Sequence, residues 1–149
     1  MAMADNTSDA QLDFLLQVLQ ATADSEGDAQ VVYPLLKANI DKLDDRLAEQ
    51  LRDWATSKLA EAEADEAKLI AAVIGIFSNR IQQLPLGDKA STMEIAITGY
   101  EVALTVFTRE AFPIDWASTQ TNLGAAYGNR IKGEKAQNIE EAIACLQQA

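Results

Sequence analysis

Histidine is absent from the 149-residue chain and cysteine occurs once. Without histidine there can be no Ser/His or Cys/His nucleophile pair and no imidazole-ligated metal within these residues. A single thiol cannot close an internal disulfide. Cys145 falls on the apolar side of an expected helix, so it reads as a buried, inert thiol that suits a reducing cytoplasm. Glycine (7) and proline (3) are sparse, aromatics make up 6% of the chain, and nothing alternates with period two. That leaves little material for turns between strands and favours an all-α protein. No apolar run approaches the roughly 18 residues of a membrane span, and the N-terminus is polar and acidic, with no export or anchoring signal. Basic residues number 12 against 23 acids, a net charge of −11. Residues 1–66 carry 15 acids and 5 bases, residues 67–149 carry 8 and 7. Phosphate contacts need clustered Lys and Arg, so neither nucleic acid nor an anionic membrane is an expected partner. The acidic half serves solubility, with a basic partner as the alternative.

What the chain does contain is a repeat. Gly87, Lys89, Ala90, Glu94, Ala96, Ile97 and Ala103 recur 46 positions later as Gly133, Lys135, Ala136, Glu140, Ala142, Ile143 and Ala149. Upstream the offset is 50, pairing Asp65, Ala67, Asn79, Arg80 and Ile81 with Asp115, Ala117, Asn129, Arg130 and Ile131. The length difference falls in Gln82–Leu86, a Pro-containing connection where it costs little. A period of this size with two apolar helical halves per unit predicts stacked helical hairpins.

Apolar periodicity and capping signals place helices at about 8–23 (Ser8 with Gln11 as a capping box), 28–40 (with Pro34 kinking it or delaying its start) and onward to about 61. The run Glu61–Glu66 has no large apolar residue and marks a turn; no glycine-centred calcium loop is present. Further helices follow at about 65–83, from Ser91 to about 111 with Pro113 as its stop, 115–131 capped by Asp115, and from Asn138 onward. The last is still running at Ala149, which reads as part of a longer array. The expected organisation is an N-terminal helical cap, 1–62, then two hairpins, 63–149. Gly87-Asp88-Lys89-Ala90-Ser91 lacks the spacing of a phosphate loop and recurs as Gly133-Glu134-Lys135-Ala136, so it is a connector between helices. Trp54 and Trp116 sit at helical spacing and read as packing residues. Carboxylate neighbours such as Glu140 and Glu141 carry no catalytic signal without a pocket, and no enzyme activity, metal or cofactor is expected.

The string Asn122-Leu123-Gly124-x-x-Tyr127, followed by Glu141-Ala142-Ile143-x-x-Leu146-x-x-Ala149, resembles the tetratricopeptide repeat. Leu123, Gly124 and Tyr127 occupy the family's large, small and aromatic positions on the first helix, and Ala142, Leu146 and Ala149 those on the second. Val73, Ile74, Phe77, Ala96, Tyr100 and Ala103 supply the earlier unit. The longer connections and phrases such as Thr105–Pro113 and Gly128-Asn129-Arg130-Ile131 resemble the extended repeats of large cyanobacterial proteins, many of which end in a caspase-like CHAT domain. The resemblance implies a superhelix whose first helices line a concave peptide-binding groove. The matching positions are Lys68, Ala71, Ala72, Gly75 and Asn79 in one unit and Ser118, Thr121, Asn122, Ala125 and Asn129 in the next. Lys68, Asn79, Ser118, Thr121, Asn122 and Asn129 are the polar candidates for peptide contact. Ala72 and Ala125 stand where carboxylate-clamping members place Asn, which argues against a clamp for a C-terminal carboxylate. Arg80 and Arg130 are expected to bond helix-end carbonyls or acids of a neighbouring unit.

The function expected is a noncatalytic protein-interaction scaffold in the cytoplasm. The alternatives are self-association through Ile139, Ile143 and Leu146 on the last helix, or control of a caspase-like protease outside these residues.

Overall fold

The chain is described by a computed structural model covering residues 6–148, with side chains from Ala10 onward. Ser8's capping side chain and Ala149 lie outside the described residues. Among the described residues seven α-helices follow one another: α1 Asn6–Ser25, α2 Ala29–Ala38, α3 Asp45–Glu61, α4 Ala64–Gln83, α5 Lys89–Leu104, α6 Pro113–Gly128 and α7 Lys135–Gln148, with a 3-10 turn at Ile40–Lys42. No strand occurs among the described residues. The protein is all-α, built of successive helical hairpins.

Three connectors share one local design. Gly27, Gly87 and Gly133 adopt φ of 77°, 86° and 81°, the left-handed region where a side chain is strained. An acidic residue follows each, and a helix starts next. Asp28 accepts a hydrogen bond from the Gln30 backbone N–H at 2.9 Å and Asp88 one from Ala90 at 3.2 Å, each satisfying a donor the first turn leaves open.

Several helix ends differ from the sequence expectation. Pro34 lies inside α2 without delaying its start. Asp88, not Ser91, caps α5, and Ser91 instead donates its hydroxyl to the Asp88 carboxylate at 3.1 Å. That helix stops at Leu104 rather than near 111, because Thr105 bonds back to the Val102 carbonyl and Phe107 turns into a small core with Ala71 and Ala103. Phe107 meets Phe112 edge-on, with ring centroids 5.6 Å apart. Pro113 is the first residue of α6, where its missing N–H costs nothing, so it starts a helix as well as ending the preceding segment. Asp115 lies in the first turn of α6, and the helix ends at Gly128. Asn138 is a buried residue inside α7, not its cap.

The α4–α5 and α6–α7 hairpins are the tightest pairs; α6 also packs on α5, α3 packs chiefly on α5, and α1 contacts α2, α3 and α4. One buried apolar cluster runs from Phe14 and Leu15 through Leu47, Leu51, Phe77, Ile95 and Tyr100 to Leu123 and Cys145. The N-terminal helices therefore share the core of the first hairpin, and each large side chain removed from water there contributes about 1.5–3 kcal/mol.

Close approach is set by small residues. A Cβ placed on Gly124 would lie 3.1 Å from Leu146 Cγ, 3.2 Å from the Ala142 carbonyl oxygen and 3.3 Å from Cys145 Cβ. In the α4–α5 hairpin the tight point is Gly99, whose Cβ would overlap Ser78 Oγ and lie 3.2 Å from Ser78 Cβ. Ser78 and Gly99 thus form a crossing that the sequence reading did not single out.

Candidate functional site

A recess of about 190 Å³ opens between α4 and α6. From α4 it is lined by Ala72, Gly75, Ile76 and Asn79, which share a helical stripe at spacings of three and four. Facing them on α6 are Asp115, Ser118, Thr119 and Asn122, again one stripe, while Tyr100 and Phe107 close the recess from behind. The small residues leave the opening: a Cβ on Gly75 would meet nothing within 4 Å. The rim carries amide, hydroxyl and carboxylate groups that can pair with an extended backbone.

Asn79 is anchored from below. The Tyr100 hydroxyl lies 2.5 Å from Asn79 Oδ1 and 2.8 Å from the Gln82 side-chain oxygen. The phenol has one proton and its shorter contact is to Asn79, so donating there leaves the Asn79 NH2 as a donor and has the Gln82 amide turn its own NH2 to the phenol oxygen. Burial pushes the Tyr100 phenol far above its ordinary value, so it stays a neutral hydrogen-bonding group. On α6 the Thr119 hydroxyl donates to the Asp115 carbonyl at 2.7 Å, leaving Ser118 and Asn122 at the opening.

Of the six polar candidates, Asn79, Ser118 and Asn122 meet in this recess. Lys68 extends the α4 stripe by one turn before Ala72, but its ammonium rests over the Phe112 ring, 5.3 Å from the centroid. Thr121 lies about 100° round α6 from Asn122 and donates its hydroxyl to the Ala117 carbonyl at 2.9 Å. Asn129 is the C-cap of α6, past the end of the stripe. Asp115, Tyr100 and Phe107 belong to the recess and were not among the candidates. The i, i+3, i+7 spacing of Asp115, Ser118 and Asn122 was the available signal for the first.

The two repeated arginines serve as ties between layers. Arg80 Nε donates to the Gly27 carbonyl at 2.7 Å, linking α4 to the end of α1. Arg130 grips the Glu94 carboxylate with Nε and Nη2 at 2.8 and 2.9 Å, and its Nη1 donates to Asn138 Oδ1 at 3.3 Å. Asn138 in turn donates from Nδ2 to the Lys132 carbonyl at 2.8 Å. Glu101 bridges Arg52 of α3 at 2.8 Å and the Tyr127 hydroxyl of α6 at 3.2 Å. Burial, followed by the charge of Glu101, pushes the Tyr127 phenol up to about 12. Lys132 pairs with Asp45 of α3. Trp116 is half-buried beneath Arg109, and burial raises the Cys145 thiol above its ordinary value, which keeps it protonated.

On α7, Ile139, Ile143 and Leu146 are 44%, 48% and 52% exposed, an apolar stripe along the outer face of the last described helix. Among the described residues no helix is long and apolar enough to cross a membrane. No protein-family model, curated protein or solved structure matches the chain.

Proposed function

We propose that the chain is a tetratricopeptide-like interaction scaffold that binds an extended peptide segment of a partner protein between α4 and α6. The observation that carries this reading is convergence. Ala72, Gly75 and Asn79 on one helix and Ser118 and Asn122 on another, some forty residues apart, line a single recess with small floors and polar rims. A shallow floor admits a backbone, and amide side chains on both walls supply donor and acceptor pairs to it. The lone, buried, protonated Cys145 suits a reducing cytoplasm.

The test is a peptide selection from a random display library on the parent chain, followed by binding measurements on Gly75→Leu. The new side chain enters open space, so the fold is kept while the recess is filled. Loss of binding in Gly75→Leu and weakening in Asn122→Ala are expected. Peptides that bind Gly75→Leu as tightly as the parent would sink the assignment.

A second reading, self-association through α7, is favoured by the exposed stripe Ile139, Ile143 and Leu146. Such a patch gains about 25 cal/mol for every Å² it removes from water, and a second α7 presents the same surface to it.

A further inference from the structure

On the other side of α4 lies a second cleft, of about 430 Å³, walled by α1, α3 and α4. Its lining is mostly apolar: Leu16 and Leu19 from α1, Trp54 from α3, and Leu69, Ile70 and Val73 from α4. Leu69 is 62% exposed and Leu16 is 37% exposed, so the cleft presents large side chains to solvent instead of burying them. On α4, Ile70 and Val73 lie more than a quarter-turn from the recess stripe of Ala72, Gly75 and Asn79, Leu69 lies about 60° from Ala72, and the two openings share no lining residue.

Acids outnumber bases at one end of this cleft. Asp65 and Glu66 sit one turn before Leu69 and Ile70 on the same face of α4, and Glu61 sits seven residues after Trp54 on α3. Glu63 occupies the turn between those helices. The ends of α1 and α4 lie side by side, since Arg80 Nε bonds the Gly27 carbonyl at 2.7 Å. Counting back along both helices brings Asp13, one turn before Leu16, to the same end as Asp65. All five acids are exposed, and among the described residues lining the cleft Lys58, one turn before Glu61, is the base.

We infer that this cleft docks a basic amphipathic helix of a partner protein, with its apolar side chains against Leu16, Trp54, Leu69 and Val73 and its Lys or Arg residues against the acidic end. The occupant follows from charge complementarity. The same cleft on a second copy would bring acids against acids, and an anionic lipid surface would be repelled in the same way. A helix fits because three helices wall the cleft and an amphipathic helix offers apolar anchors at i, i+3, i+4 and i+7. The volume lies within the roughly 300–1,000 Å³ of small binding pockets. This site is independent of the α4–α6 recess.

Trp54 on the wall supplies the readout. In a Trp116→Phe background it is the one tryptophan, and its fluorescence is followed on titration with a synthetic helical peptide carrying leucines at i, i+3, i+4 and i+7 flanked by lysines. A glutamate-flanked peptide with the same leucines is the control. Saturable binding of the lysine peptide alone is expected, weakening with added salt. Leu69→Asp, at an exposed position, should weaken it at least about tenfold. Asp65→Lys combined with Glu66→Lys brings the five acids and one base of this end to balance and should remove the preference for the lysine peptide, while Gly75→Leu leaves binding unchanged. Equal binding of both peptides, no binding of either, or indifference to Leu69→Asp would overturn the assignment. Self-association of the parent that Leu69→Asp abolishes would give the cleft to a second copy and overturn it as well.

Discussion

Gly99→Ala isolates what sets the distance between α4 and α5. An added Cβ would overlap Ser78 Oγ and lie 3.2 Å from Ser78 Cβ and 3.4 Å from Ile74 Cγ2. Ser78 is fully buried, and its hydroxyl donates to the Ile74 carbonyl at 2.8 Å. Rotating the hydroxyl away would strand it, at about 1–3 kcal/mol. The remaining Cβ–Cβ squeeze adds an overpacking cost of about 1 kcal/mol. Alanine in a helix interior returns about 1 kcal/mol relative to glycine. The net expectation is a loss of about 1–3 kcal/mol, or a fall in Tm of roughly 2–4 °C per kcal/mol for a chain of this size.

The sign of the effect makes the test decisive. In a Ser78→Gly background the obstruction is gone, so Gly99→Ala should stabilise by up to about 1 kcal/mol through helix propensity alone. Urea unfolding followed by far-ultraviolet circular dichroism measures all four chains, with equal m-values as the check that the unfolded states are comparable. If Gly99→Ala has the same sign in both backgrounds, Ser78 and Gly99 do not meet as described.

Raising pH from about 10 to 12 should destabilise the fold. The Tyr127 phenol titrates near 10.0 when unfolded and about 12 when folded, so its stabilisation is complete below 10 and is lost through 12; phenolate absorbance rising equally early in native and urea-unfolded protein would contradict this. Arg130→Ala leaves Glu94 unpaired beside α6 and should cost about 1–2 kcal/mol in urea unfolding, with Arg130→Lys recovering only part because a single ammonium cannot reproduce the two-pronged contact. If the α7 stripe pairs chains, Ile143→Asp should lower the mass seen by light scattering at high concentration; a parent that is monomeric throughout removes the self-association reading.

The hairpins were legible because their signals are local. Repeated Gly-acid connectors and apolar stripes act within a turn or two of where they appear. Two of the misread ends have non-local causes. Val106 and Phe107 continue the apolar pattern of α5, yet Phe107 is drawn out of the helix by Ala71 and Phe112. Asn138 has the composition of a cap, but Arg130 and the Lys132 carbonyl claim its side chain from the preceding connector. The recess shows the same division. Ala72, Gly75, Asn79, Ser118 and Asn122 were among the positions implied by the resemblance to the tetratricopeptide repeat, whereas Tyr100 and Phe107 enter the recess from α5 and the segment after it, which no stripe on α4 or α6 encodes.

Residues of helix α4 fall into three settings. Ala71, Ile74, Phe77, Ser78 and Ile81 are buried along it; Ala72, Gly75 and Asn79 look into the α6 recess; Leu69, Ile70 and Val73 wall the acidic-rimmed cleft. A ligand in either opening must therefore rest on the same rigid rod, fixed at Ser78 against Gly99 and at Arg80 against the end of α1. Because that crossing is too close to slide without a clash, occupying one opening has no low-cost way to reshape the other, and the two sites should bind independently. Coupling, if measured, would be reciprocal and would require α4 to move. Relaxing the crossing with Ser78→Gly is then the change that should raise coupling between the two peptide sites from none to a measurable value. A coupling free energy that is large in the parent and unaltered by Ser78→Gly would show that the rod is not what keeps them apart.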